Sequence, residues 1–325
     1  MTFKDRYING NYIVDSRNFG RDKVYKALRI NENFEPDFPD SIDLKITNKC
    51  SHGCSFCHES SEKNGKSFNL ERTCKMLDEL PNRGIEIAIG GGNVFECFSD
   101  FKQLLEFCHS KKFYTRATIN IADARNLDRM KNDLLPLICD LRYKMILGAF
   151  GISVTKFKQV QDLHDLWLDN DLGIDHSHVV YHIILGVFPP EEISDLLDFC
   201  MSHRSSLLIL GFKQFGRAKD TELPNLEPWI EELKQILYRI RLSGKTESSI
   251  GFDNLAIEQL QLKNYLLKSE WDSYYLGDEF THTMYVDAVE ETFAPTSRTK
   301  IEDRVSWSEA GGILNYFKNN RNPWK

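Results

Sequence analysis

The chain predicts an α/β fold: a partial (β/α)6 barrel of parallel strands, with an N-terminal hairpin and a C-terminal α+β extension. Three observations carry that expectation. Between Ile42 and Gly244, short near-continuous apolar runs alternate six times with segments of helical spacing, the pattern of parallel strands covered by helices. Right-handed crossovers would curl such a chain into a partial barrel. The unusual polar and glycine residues fall just after the strands, where barrels of this kind carry their chemistry.

The elements follow in order. Asn9-Gly10 between RYI and NYIV is a hairpin signal, and the prolines of FEPDFPDS separate this flap (1–40) from the barrel (41–244). SIDLKIT (41–47) is the first strand, and its helix carries Leu70, Cys74, Leu77 and Leu80 behind the cap Asn69. GIEIAI is the second strand, with Ser99 expected to cap a helix bearing Phe101, Leu104, Leu105 and Cys108. FYTRATINI (113–121) is the third, followed by a helix that Pro136 should interrupt. RYKMILGAF (142–150) is the fourth, with Phe157, Val160, Leu163 and Trp167 on its helix. HVVYHIILGVF (178–188) is the fifth, with Pro189-Pro190 opening the helix of Ile193, Leu196, Leu197 and Cys200. SSLLILGF (205–212) is the sixth, and PWIEELKQILYRI is its helix. Residues 245–325 form the extension, in which THTMYVDA reads as half of a second hairpin turning at Val289-Glu290-Glu291.

Bulk properties narrow the function. At 325 residues with 41% hydrophobic content, the chain buries a sizeable core. Its 41 Lys and Arg against 48 Asp and Glu give a net charge of −7, which argues against non-specific nucleic-acid binding. No stretch reaches the length of apolar residues that a membrane span needs, and MTFKDRYING is not a signal peptide. A cytoplasmic location is expected, in which eight cysteines are metal ligands or buried thiols rather than disulfides.

Cys50, Cys54 and Cys57 are spaced C-x3-C-x2-C on the loop after the first strand. Zinc in a closed site would need a fourth ligand, which His52 or His58 would supply. A [4Fe–4S] cluster on three cysteines would keep one iron open. With Phe56 at the aromatic position, C-x3-C-x-Φ-C after the first of six barrel strands resembles the radical S-adenosylmethionine (radical SAM) superfamily, over roughly residues 41 to 217. That resemblance implies a [4Fe–4S] cluster, S-adenosyl-L-methionine as cosubstrate, and an electron donor such as flavodoxin or ferredoxin. It also implies a 5′-deoxyadenosyl radical that abstracts hydrogen from the substrate.

Gly90, Gly91 and Gly92 resemble the family's Gly-Gly-Glu motif, except that Asn93 stands where the acid would be. The contact to the SAM amino group would then come from the Asn93 amide oxygen or from backbone carbonyls. Asn120 and Ser153 end strands three and four at positions that bind the SAM ribose or carboxylate in that family; capping a loop is the competing role. Gly186 lies in the segment that packs on adenine, and Arg217 near the rim is placed to fork onto a carboxylate. No catalytic side chain is singled out. The hairpin near the C-terminus resembles that of peptide-maturing radical SAM enzymes, but no cysteine follows Cys200 to hold a further cluster. A peptide or protein substrate is therefore expected, with a nucleotide or small metabolite as the alternative. A non-catalytic zinc or redox-sensing module is the reading from another class.

Overall fold

The structure is a computed structural model describing residues 4–19, 22–29, 35–138, 145–243, 250–275 and 277–321. The chain divides into two compact units. One comprises Met1–Thr118, Lys144–Gly148 and Gly277–Lys325, the other Ile119–Tyr143 and Ala149–Leu276.

The first unit opens with an antiparallel meander of β1 (Lys4–Asn9), β2 (Tyr12–Phe19) and β3 (Asp22–Arg29). The hairpin is where the sequence places it, but shifted by one residue. Asn9 pairs with Tyr12, so Gly10 and Asn11 form the loop, and Gly10 takes the positive φ of 56° that the first central position of a type II′ turn requires. A side chain at Gly10 would run into the Glu35 carbonyl. The third strand was not expected, because its alternation of charged and apolar residues has no turn dipeptide at hand to announce it.

The parallel strands β4 (Ser41–Thr47), β5 (Glu86–Gly91) and β6 (Tyr114–Asn120) follow. In β4, Ile42, Leu44 and Ile46 are fully buried on one face, while Asp43 on the other is exposed, the period of two that a strand imposes. The helix after β5 starts at Phe98 rather than at a Ser99 cap. A 3-10 turn, Val94–Cys97, precedes it, and Asn93 takes over the capping.

In the second unit, β7 (Ala149–Ser153), β8 (Val179–Ile184), β9 (Ser206–Leu210) and β10 (Ile250–Phe252) make a parallel sheet in the order β10-β9-β8-β7. Helices Phe157–Asp169, Ile193–His203 and Glu227–Ser243 follow its first three strands. The expected fourth strand, 142–150, lies partly outside the described residues, as does Cys139, and its described portion is strand only from Ala149 onward. Pro136 does not break its helix. A π turn, Met130–Leu134, comes first, and Pro136 sits within the described helical turn that follows it, Leu135–Ile138, where the widened hydrogen-bonding step accommodates the missing N–H.

The C-terminal segment returns to the first unit as β11 (Thr283–Asp287), β12 (Thr292–Ala294) and β13 (Val305–Ser306). There the order is β6-β5-β4-β11-β12-β13. The expected hairpin forms, with Val286 opposite Phe293. Its first strand also joins β4 in parallel, Val286 opposite Leu44, so the edge of β4 is covered. Phe280 and Phe293 are buried against Tyr316, with Phe317 and Trp307 beside them. These aromatics pack a core.

Candidate cluster and cofactor site

β4 delivers its C-terminal end to the cysteine loop, whose base is pinned by backbone hydrogen bonds. The Asn48 N–H donates to Lys66 O (2.7 Å), Glu62 N–H to Asn48 O (2.9 Å) and Cys50 N–H to Glu62 O (2.9 Å). Beyond that base the loop turns tightly around Phe56, Cys57 N–H donating to Cys54 O (3.2 Å). Gly53 adopts φ 67° with open space where a Cβ would be. Cys50, Cys54 and Cys57 are half-buried and in no disulfide. Burial raises the Cys50 thiol, and the nearby Cys54 and Cys57 thiols add to the rise.

The glycine run after β5 is divided in its roles. A Cβ at Gly92 would lie 2.1 Å from the Lys49 carbonyl oxygen, and Gly91 has φ 113° with the Thr47 carbonyl 2.5 Å from its missing Cβ. These two glycines let the run pack on the end of β4, where Gly92 N–H donates to Thr47 O and Asn93 N–H to Lys49 O, both 2.7 Å. At Gly90 a Cβ would meet nothing within 4 Å. Two glycines therefore build the turn, and the third opens a surface.

Asn93 is buried, and its amide oxygen accepts from Phe95 N–H (3.0 Å) while its Nδ2 lies 3.1 Å from His52 Nε2. The oxygen is thus engaged in capping Val94–Cys97. Glu96 Oε1 accepts from both the N–H (2.9 Å) and hydroxyl (2.8 Å) of Ser51. The carboxylate that sequence reading missed stands four residues after the glycines and holds the start of the cysteine loop. Cys97 is buried, and its thiol, pushed up to about 11 chiefly by burial, stays protonated at neutral pH.

A second group missed from sequence lies where the cysteine loop ends. Lys45 on β4 is buried, with Nζ 2.7 Å from Glu59 Oε2 and 3.0 Å from Asp287 Oδ2. Arg304 Nη1 reaches the same Asp287 oxygen at 2.9 Å. Glu59 Oε1 is met by the Tyr285 hydroxyl (3.3 Å) and by His58 Nε2 (3.4 Å). Burial pushes the Glu59 carboxyl up, but hydrogen bonding and charge from His58, and then Lys45, hold it well below the usual range. The available signal was a lysine between Leu44 and Ile46 in a strand expected to be buried.

The loop suits an iron–sulfur cluster in its donor chemistry, three soft thiolates from one turn. As the side chains stand, no trio of histidine, cysteine or carboxylate groups among the described residues is arranged to hold a metal ion. The cysteines share a loop, and rotation about their side chains decides whether they share a point.

In the second unit the remaining expected positions fall at strand ends or in the segments that follow them. The Asn120 oxygen accepts from Ala122 N–H (2.9 Å), capping Ile121–Ala124. Ser153 ends β7 opposite His182. Gly186 has φ 74°, and a Cβ there would strike the Pro224 ring. Arg217 is exposed in the 3-10 turn Gly216–Ala218. The first unit thus gathers Cys50, Cys54, Phe56, Cys57 and Gly90 to Asn93, and the second carries Asn120, Ser153, Gly186 and Arg217.

Known structures of similar fold include SuiB of Streptococcus suis bound to S-adenosylmethionine. It matches with a TM-score of 0.57 and 16% identity over 81% of this chain and 61% of SuiB. The chain resembles the radical SAM enzymes in fold. SuiB bound to its precursor peptide SuiA matches at a TM-score of 0.56, with 14% identity over 89% of this chain and 63% of that one. The radical SAM enzyme anSMEcpe with bound AdoMet matches at 0.54, with 11% identity over 86% and 81%. This chain therefore spans less than two thirds of SuiB. No family model matches the sequence. The uncharacterized protein MJ0907 of Methanocaldococcus jannaschii is 23% identical over 206 residues, 61% of this chain and 70% of that protein.

Proposed function

We propose that this chain is a radical SAM enzyme acting on a peptide or protein. The observation that carries the reading is a three-cysteine loop at the C-terminal end of the first parallel strand, packed on a glycine run that leaves Gly90 facing open space. Cys50, Cys54 and Cys57 hold a [4Fe–4S] cluster, which when bound supplies the electron that cleaves S-adenosylmethionine to a hydrogen-abstracting 5′-deoxyadenosyl radical. Backbone carbonyls of the Gly90 segment, or the second lone pair of the Asn93 oxygen that already accepts from Phe95 N–H, receive the SAM amino group. In the second unit, Asn120, Ser153, Gly186 and Arg217 stand at the positions to which the radical SAM resemblance assigns contacts with ribose, carboxylate and adenine.

The peptide substrate rests on the fold shared with SuiB, whose structure with SuiA holds a precursor peptide, and on the hairpin β11–β12. A low-potential electron-transfer protein such as flavodoxin or ferredoxin supplies the electron. Anaerobic purification with iron and sulfide analysis, followed by assay for 5′-deoxyadenosine, tests the reading. About four irons per chain and SAM cleavage that rises with added peptide are expected; a colourless, zinc-bound protein overturns it.

A further inference from the structure

We propose that Lys45, Glu59, Asp287 and Arg304 form a positioning device for Cys57, through which the C-terminal hairpin fixes the cysteine loop and sets the charge around whatever cluster it holds. This inference rests on the radical SAM reading. Glu59 lies two residues beyond Cys57, and both of its carboxylate oxygens are gripped, one by Lys45 and the other by Tyr285 and His58. Lys45 is held in turn by Asp287, whose Oδ2 also takes Arg304 and whose Oδ1 accepts the N–H groups of Val289 and Glu290 at the hairpin turn. An unbroken chain of contacts therefore runs from β11 and the segment before β13 to the exit of the cysteine loop.

Stability alone does not account for it. A buried ion network adds little over apolar side chains of the same volume, because desolvation offsets most of the attraction. Apolar residues would fill this position equally well if packing were its purpose. Charge adjacent to an iron–sulfur cluster does have a consequence: outer contacts orient the ligands, and net charge shifts the reduction potential.

The test uses the full chain purified without oxygen, with the midpoint potential and electron paramagnetic resonance spectrum of the reduced cluster as readouts. Glu59→Gln removes a negative charge and should raise the potential; Lys45→Met removes a positive one and should lower it; Lys45→Arg should restore the wild-type value. Loss of packing alone would not produce shifts of opposite sign. Loaded variants with wild-type potentials and spectra overturn the proposal, whereas a wild-type protein that holds no iron overturns the radical SAM reading itself. Should either variant fail to load, the cluster-free protein decides. In Asp287→Asn, alkylation of Cys57 should quicken at least threefold while Cys97 is unchanged, and equal rates overturn the proposal.

Discussion

β4 is gripped by a buried polar network at each end, and the two are built differently. At its start, Asn9 donates to Phe38 O (2.8 Å), the Tyr12 hydroxyl (2.9 Å) and Asp40 Oδ1 (2.8 Å), while its own oxygen accepts from Asp37 and Phe38 N–H. Tyr12 donates to Asp40 Oδ2 at 2.7 Å and lies 3.3 Å from His282. At its end stand two cations and two carboxylates, Lys45, Arg304, Glu59 and Asp287. Both networks join β4 to the segment of β11, one just before that strand at His282 and the other at its last residue, Asp287. The first is dominated by short hydrogen bonds from an amide and a phenol, which specify how the meander sits. The second gathers formal charge beside the cysteine loop. Four charged groups at the end where parallel strands carry their chemistry, with a single carboxylate held by an amide and a phenol at the other, separate the work of holding the fold from the work of the site.

The largest effect is expected at the cysteines. Cys54→Ala should remove iron binding and SAM cleavage together while circular dichroism and melting of the cluster-free protein stay as in wild type; retained cleavage would sink the proposed function. The opposite end should respond the other way. Asn9→Ala strands several buried partners and should cost about 3 kcal/mol, read by urea denaturation, with iron content per folded chain unchanged.

Acid sharpens the contrast. Glu59 is held ionised below its ordinary range, so between about pH 4.5 and lower values the unfolded chain binds a proton that the folded chain does not. Stability contributed by this group is fully present above that pH and is lost as pH falls. Glu59→Gln should therefore flatten the acid limb of a denaturation series, and Tyr12→Phe should leave it steep. The smallest effect on stability belongs to Gly90→Ala, within about 0.5 kcal/mol because the added methyl meets open space. Its SAM affinity, read by calorimetry, should nevertheless fall about tenfold.

Much of the fold was legible because period-two and helical spacing report local geometry directly. The six strand–helix units, the core placement of Cys108 and Cys200 and the C-terminal hairpin all follow from such patterns. The helix starts at Phe98, two residues before the start that a Ser99 cap implies. Ser99 is a good cap by type, but the chain places a 3-10 turn first and Asn93 caps that. Asn93 itself was read as a ligand contact because its position in the motif suggested one. Its oxygen accepts from Phe95 N–H in the adjacent turn, a partner that spacing does not reveal. Lys45 and Asp287 are 242 residues apart, and nothing local ties them.

The sequence by itself determined which segments become strands and helices and that three thiols share one turn, since these depend on neighbours within a few residues. Tertiary structure decided that β11 lies parallel against β4, that Gly91 and Gly92 serve packing while Gly90 faces open space, and that Glu59 meets Lys45. Those outcomes depend on which distant backbone and which opposite charge come within a few ångströms, and only the folded chain sets such distances.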